Sequence, residues 1–148
     1  MEKPFVLLAD DNEATCILIT ALLQPEFEVD VAMDSADAME KLKGRQYAAI
    51  LLDLRMPGTD GYGILDFLGS HRPDQMPRVL VVTAAISSRE LERLRAYPIC
   101  GVIAKPFEIE SLLAAVKSCA GDVAPGFLGS PLFSSGMLFL LADFLRRI

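Results

Sequence analysis

The chain has 148 residues, 52% of them hydrophobic, with a net charge of −6 at pH 7 and a pI of about 4.7. That length and apolar content suit one domain with its own core and a short appendage. The acidic balance argues against a nucleic-acid surface, which needs a basic face. The three cysteines, Cys16, Cys100 and Cys119, are widely spaced and form no CxxC pair, and the lone His71 cannot complete a zinc set. They are expected to be reduced, mostly buried thiols in a cytosolic protein. The opening "MEKPFVLLADDNE" turns acidic after one short apolar run, which is not a signal-peptide layout, so a cytoplasmic location is expected.

In chain order, four short runs rich in β-branched residues and leucine stand out: "FVLLA" (5–9), "AAILL" (48–52), "VLVV" (79–82) and "GVIA" (101–104). Their length and unbroken apolar character predict strands buried on both faces of a parallel sheet. "FEVDV" (27–31) alternates apolar and polar residues and predicts an edge strand. Helical spacing appears between the runs. Residues 13–23 repeat Ala14, Ile17, Leu18, Ala21 and Leu22; residues 35–42 repeat Ala38, Met39 and Leu42; residues 61–68 repeat Ile64, Leu65 and Leu68. "SSRELERLRAY" opens with Ser87 three residues before Glu90, a capping-box spacing, and "EIESLLAAVKSC" places Ile109, Leu112, Leu113 and Val116 on one face. Asp60 is placed to cap the third helix, and Gly44 and Gly69 to end the second and third.

Strand–helix alternation repeated five times implies an α/β fold: a five-stranded parallel sheet, doubly wound. With the second strand at an edge, right-handed crossovers favour the flavodoxin-like order 2-1-3-4-5. Ligands of such sheets bind beyond the carboxyl ends of the strands. Residues 1–120 form this domain. A Gly/Pro/Ser-rich linker (121–136) and an amphipathic helix (137–148) are expected to follow. Met137, Leu141, Phe144 and Ile148 would make that helix's apolar stripe, suited to docking on the domain or to pairing two chains. The dense apolar part of the tail is too short for a membrane span.

The residues just past the central runs carry the chemistry. After the first come Asp10 and Asp11, after the second Asp53, after the third Thr83, after the fourth Lys105. Taken singly, Asp53 also suits a turn or cap, Asp10 a cap, and Lys105 a surface position. Together they put three carboxylates, a hydroxyl and an ammonium on one sheet edge. Crowded carboxylates are relieved by a divalent cation, and oxygen-only ligands suit Mg²⁺ or another hard divalent ion. A carboxylate can take a phosphoryl group as an acyl phosphate, with metal and ammonium offsetting the transferring charge.

"LLADDN" (7–12), "LLDLRMPGTDGY" (51–62), "VVTA" (81–84) and "AKPF" (104–107) resemble, in this order, the receiver domain of two-component response regulators over residues 4–120. The resemblance implies that Asp53 is the phosphoacceptor and that Asp10 and Asp11 are Mg²⁺ carboxylates, joined by the backbone carbonyl of Arg55. It implies that Thr83 is a switch hydroxyl, that the N–H of Ala84 contacts phosphate, that Lys105 pairs with phosphate, and that the Lys105–Pro106 peptide is cis. The implied partners are a sensor histidine kinase or histidine phosphotransfer protein and a downstream protein. Self-association is expected through the fourth helix–fifth strand–fifth helix face or through the tail.

Two positions depart from the pattern. Val102 stands where the family often has an aromatic residue, and Arg55 lies two residues after Asp53. With no effector domain recognisable after residue 120, a stand-alone receiver is expected, transferring and losing its own phosphoryl group without turning over a substrate. The alternative is a phosphatase with an aspartyl nucleophile. Such enzymes resemble haloacid dehalogenases and place an acid where this chain has Arg55. An FMN module would need a phosphate loop where this chain has the acidic "ADDNEAT".

Overall fold

The apolar runs form five strands: β1 (Phe5–Ala9), β2 (Glu28–Ala32), β3 (Ala49–Leu52), β4 (Val79–Ala84) and β5 (Gly101–Lys105). Between and after them come α1 (Glu13–Leu23), α2 (Ser35–Gly44), α3 (Gly61–His71), α4 (Ser88–Leu94) and α5 (Ile109–Ala120). The computed structural model describes residues 3–56, 58, 60–84 and 86–121. The expected linker and C-terminal helix lie outside the described residues, apart from Gly121 at the start of the linker. Among the described residues no helix is long and apolar enough to cross a membrane.

The sheet is parallel throughout, in the order β2-β1-β3-β4-β5. Successive residues of each central strand serve opposite faces, as the two-residue period of a strand requires. Leu7, Ile50, Leu52, Val79, Val81 and Val102 join Ala38 and Leu42 of α2, Ile64, Leu65 and Leu68 of α3, and Leu91 and Leu94 of α4. Val6, Leu8, Ala49, Leu51, Leu80, Val82 and Ile103 join Cys16, Ile19 and Leu23 of α1 and Leu112, Ala115, Val116 and Cys119 of α5. Each large aliphatic side chain fully withdrawn in this way contributes about 1.5–3 kcal/mol of burial.

Side chains start four of the helices by accepting from a backbone N–H two or three positions into the first turn. Asn12 accepts from Thr15, Asp34 from Asp37, Asp60 from Gly63 and Ser87 from Glu90. Arginines close two helices: Arg72 donates to the carbonyl of Leu42 at the end of α2, and Arg78 to that of Cys119 at the end of α5, both at 2.9 Å.

Several local expectations are corrected. α1 buries Cys16, Ile19 and Leu23, whereas Ile17 and Leu18 are 65% and 45% exposed. The helix carries apolar residues on more than one side, and packing against α5 and the sheet selects the face. Ile109 likewise points outward. Gly69 does not end α3, which runs on to His71 before a 3-10 turn at Pro73–Arg78 that the sequence reading lacked. Finally, Cys100 and Cys119 are not free thiols: they form a disulfide, with Cα atoms 5.8 Å apart. The last turn of α5 comes to lie beside the entry to β5, within bridging distance. A separation of 19 residues hides that proximity in the sequence. Cys16 remains a buried free thiol.

Candidate functional site

Parallel pairing brings the carboxyl ends of β1, β3, β4 and β5 to one edge. Ala9 is opposite Leu52, and Thr83 and Ala84 are opposite Ala104 and Lys105. The ladder continues one residue past the strands. Asp10 N–H donates to the carbonyl of Ala32 at 3.0 Å, and Asp53 N–H to that of Ala9 at 2.9 Å. Backbone hydrogen bonds therefore hold both acids at the end of the sheet, where apolar strands would otherwise exclude them.

The side chains meet there. Asp53 Oδ1 accepts from Thr83 Oγ1 at 2.9 Å and from the backbone N–H of Arg55 at 3.0 Å. Lys105 Nζ donates to Asp10 Oδ2 at 2.7 Å and to Asp53 Oδ2 at 3.2 Å. Asp10 Oδ1 accepts from Asn12 N–H at 2.9 Å, so Asp10 shapes the turn into α1 while Asn12 caps the helix. Asp10 and Asp53 are 2% and 8% exposed, and Thr83 is buried. Asp11 and Ala84 face solvent.

Asp10, Asp11 and Asp53 each offer a carboxylate oxygen, all within 4.8 Å of one another. Three carboxylates thus face one ammonium, an excess of negative charge that suits a hard divalent cation with oxygen ligands. Burial pulls the pKa of Lys105 down. The hydrogen bonds and charges of Asp10 and Asp53 outweigh it, and the ammonium is held above its ordinary value.

The loop after Asp53 is shaped by two glycines. Gly58 has φ +93°, a conformation that side chains disfavour. At Gly61 an added Cβ would lie 2.6 Å from Leu54 Cα and 3.1 Å from the carbonyl oxygen of Asp53. The start of α3 therefore abuts the residue that carries the carboxylate. The Lys105–Pro106 peptide is cis, as the resemblance implied.

Three residues of this region escaped sequence reasoning. Cys16 Sγ donates to the carbonyl of Asp10 at 3.2 Å. Burial, followed by the charge of Asp10, pushes its pKa up to about 11. Arg55 Nη2 lies 3.7 Å from Glu90 Oε1 on α4. Tyr62, on the first turn of α3, carries the Arg93 guanidinium 3.5 Å from its ring centre. Nothing in the spacing of Cys16, Glu90 or Tyr62 marks these contacts, which depend on how α1, α3 and α4 lie against the strand ends.

Comparison with known proteins bears on this edge. The family model for the response regulator receiver domain matches residues 6–117. The response regulator ArlR of Staphylococcus saprophyticus is 29% identical over 114 residues, which span 76% of this chain and 50% of ArlR. The signal transduction histidine-protein kinase BarA of Escherichia coli K12 is 32% identical over 108 residues, 72% of this chain and 12% of BarA. The chain thus spans half or less of the length of these relatives. Among solved structures, the receiver domain of sensor histidine kinase PA1611 from Pseudomonas aeruginosa, which has a magnesium ion in its active-site cleft, superposes with a TM-score of 0.66 at 22% identity. That match covers 80% of this chain and 98% of the other. With its 2-1-3-4-5 parallel sheet and its acidic strand edge, the chain belongs to the response regulator receiver domain family of two-component signalling.

Proposed function

We propose that the domain is a phosphorylation-controlled signalling module in which Asp53 accepts the phosphoryl group. The observation that carries this reading is the grip on Asp53. Thr83 and the Arg55 N–H hold one oxygen, while the other, among the described residues, meets only the longer contact to Lys105. One oxygen of Asp53 would attack the phosphorus of a phosphohistidine. The O–P bond forms as the P–N bond breaks, and the electron pair of that bond stays on the imidazole nitrogen. The Lys105 ammonium would balance charge on the phosphoryl oxygens, and the N–H of Ala84 and the hydroxyl of Thr83 would donate to them. Asp10, Asp11 and Asp53, with the Arg55 carbonyl, would hold Mg²⁺. The ion would supply further positive charge opposite those oxygens.

The phosphodonor in this reading is a sensor histidine kinase or a histidine phosphotransfer protein. α1 begins two residues after Asp11 and exposes Ile17 and Leu18, an apolar spot beside the site against which such a donor could rest. The output is a protein contact, and the place of action is the cytoplasm. The domain would transfer and hydrolyse only its own phosphoryl group.

Intact-mass measurement with acetyl phosphate and Mg²⁺ tests this. One base-labile phosphoryl group is expected on the wild type and none on Asp53→Asn. Labelling of Asp53→Asn to the wild-type level would refute the assignment.

A further inference from the structure

α4 is the helix least anchored by the backbone. It has seven residues, buries only Leu91 and Leu94, and makes few close backbone approaches to other elements. Its remaining attachments are side chains aimed at α3 and at the loop after Asp53. Glu90 faces the Arg55 guanidinium at 3.7 Å, and Arg93 lies over the Tyr62 ring at 3.5 Å. Just past α4, the Tyr97 hydroxyl donates to Asp66 at 2.8 Å. One group in this patch is unsatisfied. The Tyr62 hydroxyl is the buried side-chain polar atom left without a hydrogen-bond partner among the described residues.

We propose that Arg55 passes the state of Asp53 to α4 by exchanging partners. Without a phosphoryl group its guanidinium is held by Glu90. With one, it turns to the phosphoryl oxygens, and Glu90 turns to accept from the Tyr62 hydroxyl. The inference rests on Asp53 being the phosphoacceptor.

Arg55 is anchored for this task, since its backbone N–H already donates to the Asp53 carboxylate. Its pairing with Glu90 is long and solvated, with the two side chains 58% and 31% exposed, so it is a weak competitor. A phosphoryl group carries more charge than a carboxylate and offers several oxygens to a guanidinium fork. Glu90, once released, has a destination. Burial raises the pKa of Tyr62, the charge of Glu90 raises it further, and Arg93 opposes. The phenol therefore stays a donor and lies within the field of that carboxylate. Asp60, the other acid acting on Tyr62, already accepts from Gly63 N–H. The two arrangements leave different groups satisfied, which makes a two-state element that the phosphoryl charge can bias.

Hydrogen exchange read by mass spectrometry over residues 88–97 tests the exchange, with beryllofluoride and Mg²⁺ as the acyl-phosphate mimic. In the wild type the mimic should speed exchange in the first turn of α4 by about fivefold or more. In Glu90→Gln exchange should be fast with and without the mimic, while phosphoryl uptake from acetyl phosphate is retained. In Tyr62→Phe the resting exchange should match the wild type and the speed-up with the mimic should be larger, because the released carboxylate has no hydroxyl to meet and α4 loses that tether too; a smaller speed-up would overturn the part given to Tyr62. An α4 that does not respond in a wild type that takes up the mimic overturns the inference alone, as does a Glu90→Gln protein that responds like the wild type. A wild type that takes up no phosphoryl group overturns the reading of Asp53 as well.

Discussion

Replacing Lys105 with methionine keeps most of the side chain's length and removes its charge. In the fold that charge lies 2.7 Å from Asp10 Oδ2 and 3.2 Å from Asp53 Oδ2. At an effective dielectric of about 20, these attractions are about 6 and about 5 kcal/mol before any cost is subtracted. Desolvation of the three ions cancels much of it. Deleting one partner of a buried pair commonly costs about 3–5 kcal/mol, because the charge left behind is uncompensated. The Lys105 side chain is 20% exposed, so water reaches part of the site. A loss of about 2–3 kcal/mol is therefore expected when no divalent ion is present.

For a domain of this size, that lowers the thermal midpoint by roughly 8–12 °C. Circular dichroism at low ionic strength with a chelator reads it directly. The pKa of Lys105 is raised in the fold, so its contribution is fully present below the ordinary lysine value. It is lost only as the pH rises through the raised one, in the alkaline range. Added Mg²⁺ should stabilise the variant more than the wild type, since the ion offsets the same carboxylates. A Lys105→Met protein that unfolds at the wild-type midpoint in chelator would refute the reasoning, because it would mean that the ammonium offsets nothing.

Thr83→Val preserves shape and removes the donor to Asp53 Oδ1; a loss of about 1–3 kcal/mol is expected in urea unfolding, with an unchanged midpoint as the contrary result. Gly61→Ala drives a methyl group into Leu54 and the Asp53 carbonyl and should cost about 1–3 kcal/mol by the same measurement. The Cys16 thiol, with its pKa pushed up to about 11 from 9.0, should resist alkylation in the native protein at mildly alkaline pH. Because the fold keeps that proton while the unfolded chain loses it, stability should fall as pH rises between those two values. The fall should be shallower in Cys16→Val.

The four apolar runs could be read as strands because a strand buried on both faces needs no alternation, and each run ends at the residue where a polar or charged side chain takes over. The same logic marked Asp10, Asp53, Thr83 and Lys105, since a parallel sheet must deliver its strand ends to one edge. The caps at Asp60 and Ser87 were legible for a local reason: a cap depends on three or four consecutive residues.

What depends on contact between distant segments was not legible. The pattern of α1 supported Ile17 and Leu18 as readily as Cys16 and Ile19, because a helix apolar on several sides has no single period to read. The Cys100–Cys119 disulfide, the arginine caps from Arg72 and Arg78, and the Glu90–Arg55 pairing follow from where whole helices come to rest. By itself, then, the sequence determined the strands, their order and the chemistry gathered at their ends, because those follow from burial and hydrogen bonding along short stretches of chain. Only the tertiary structure decided which helix faces are buried, which cysteines pair and what Arg55 touches. Those outcomes rest on the packing of elements far apart in the chain, and no local pattern encodes the distances between them.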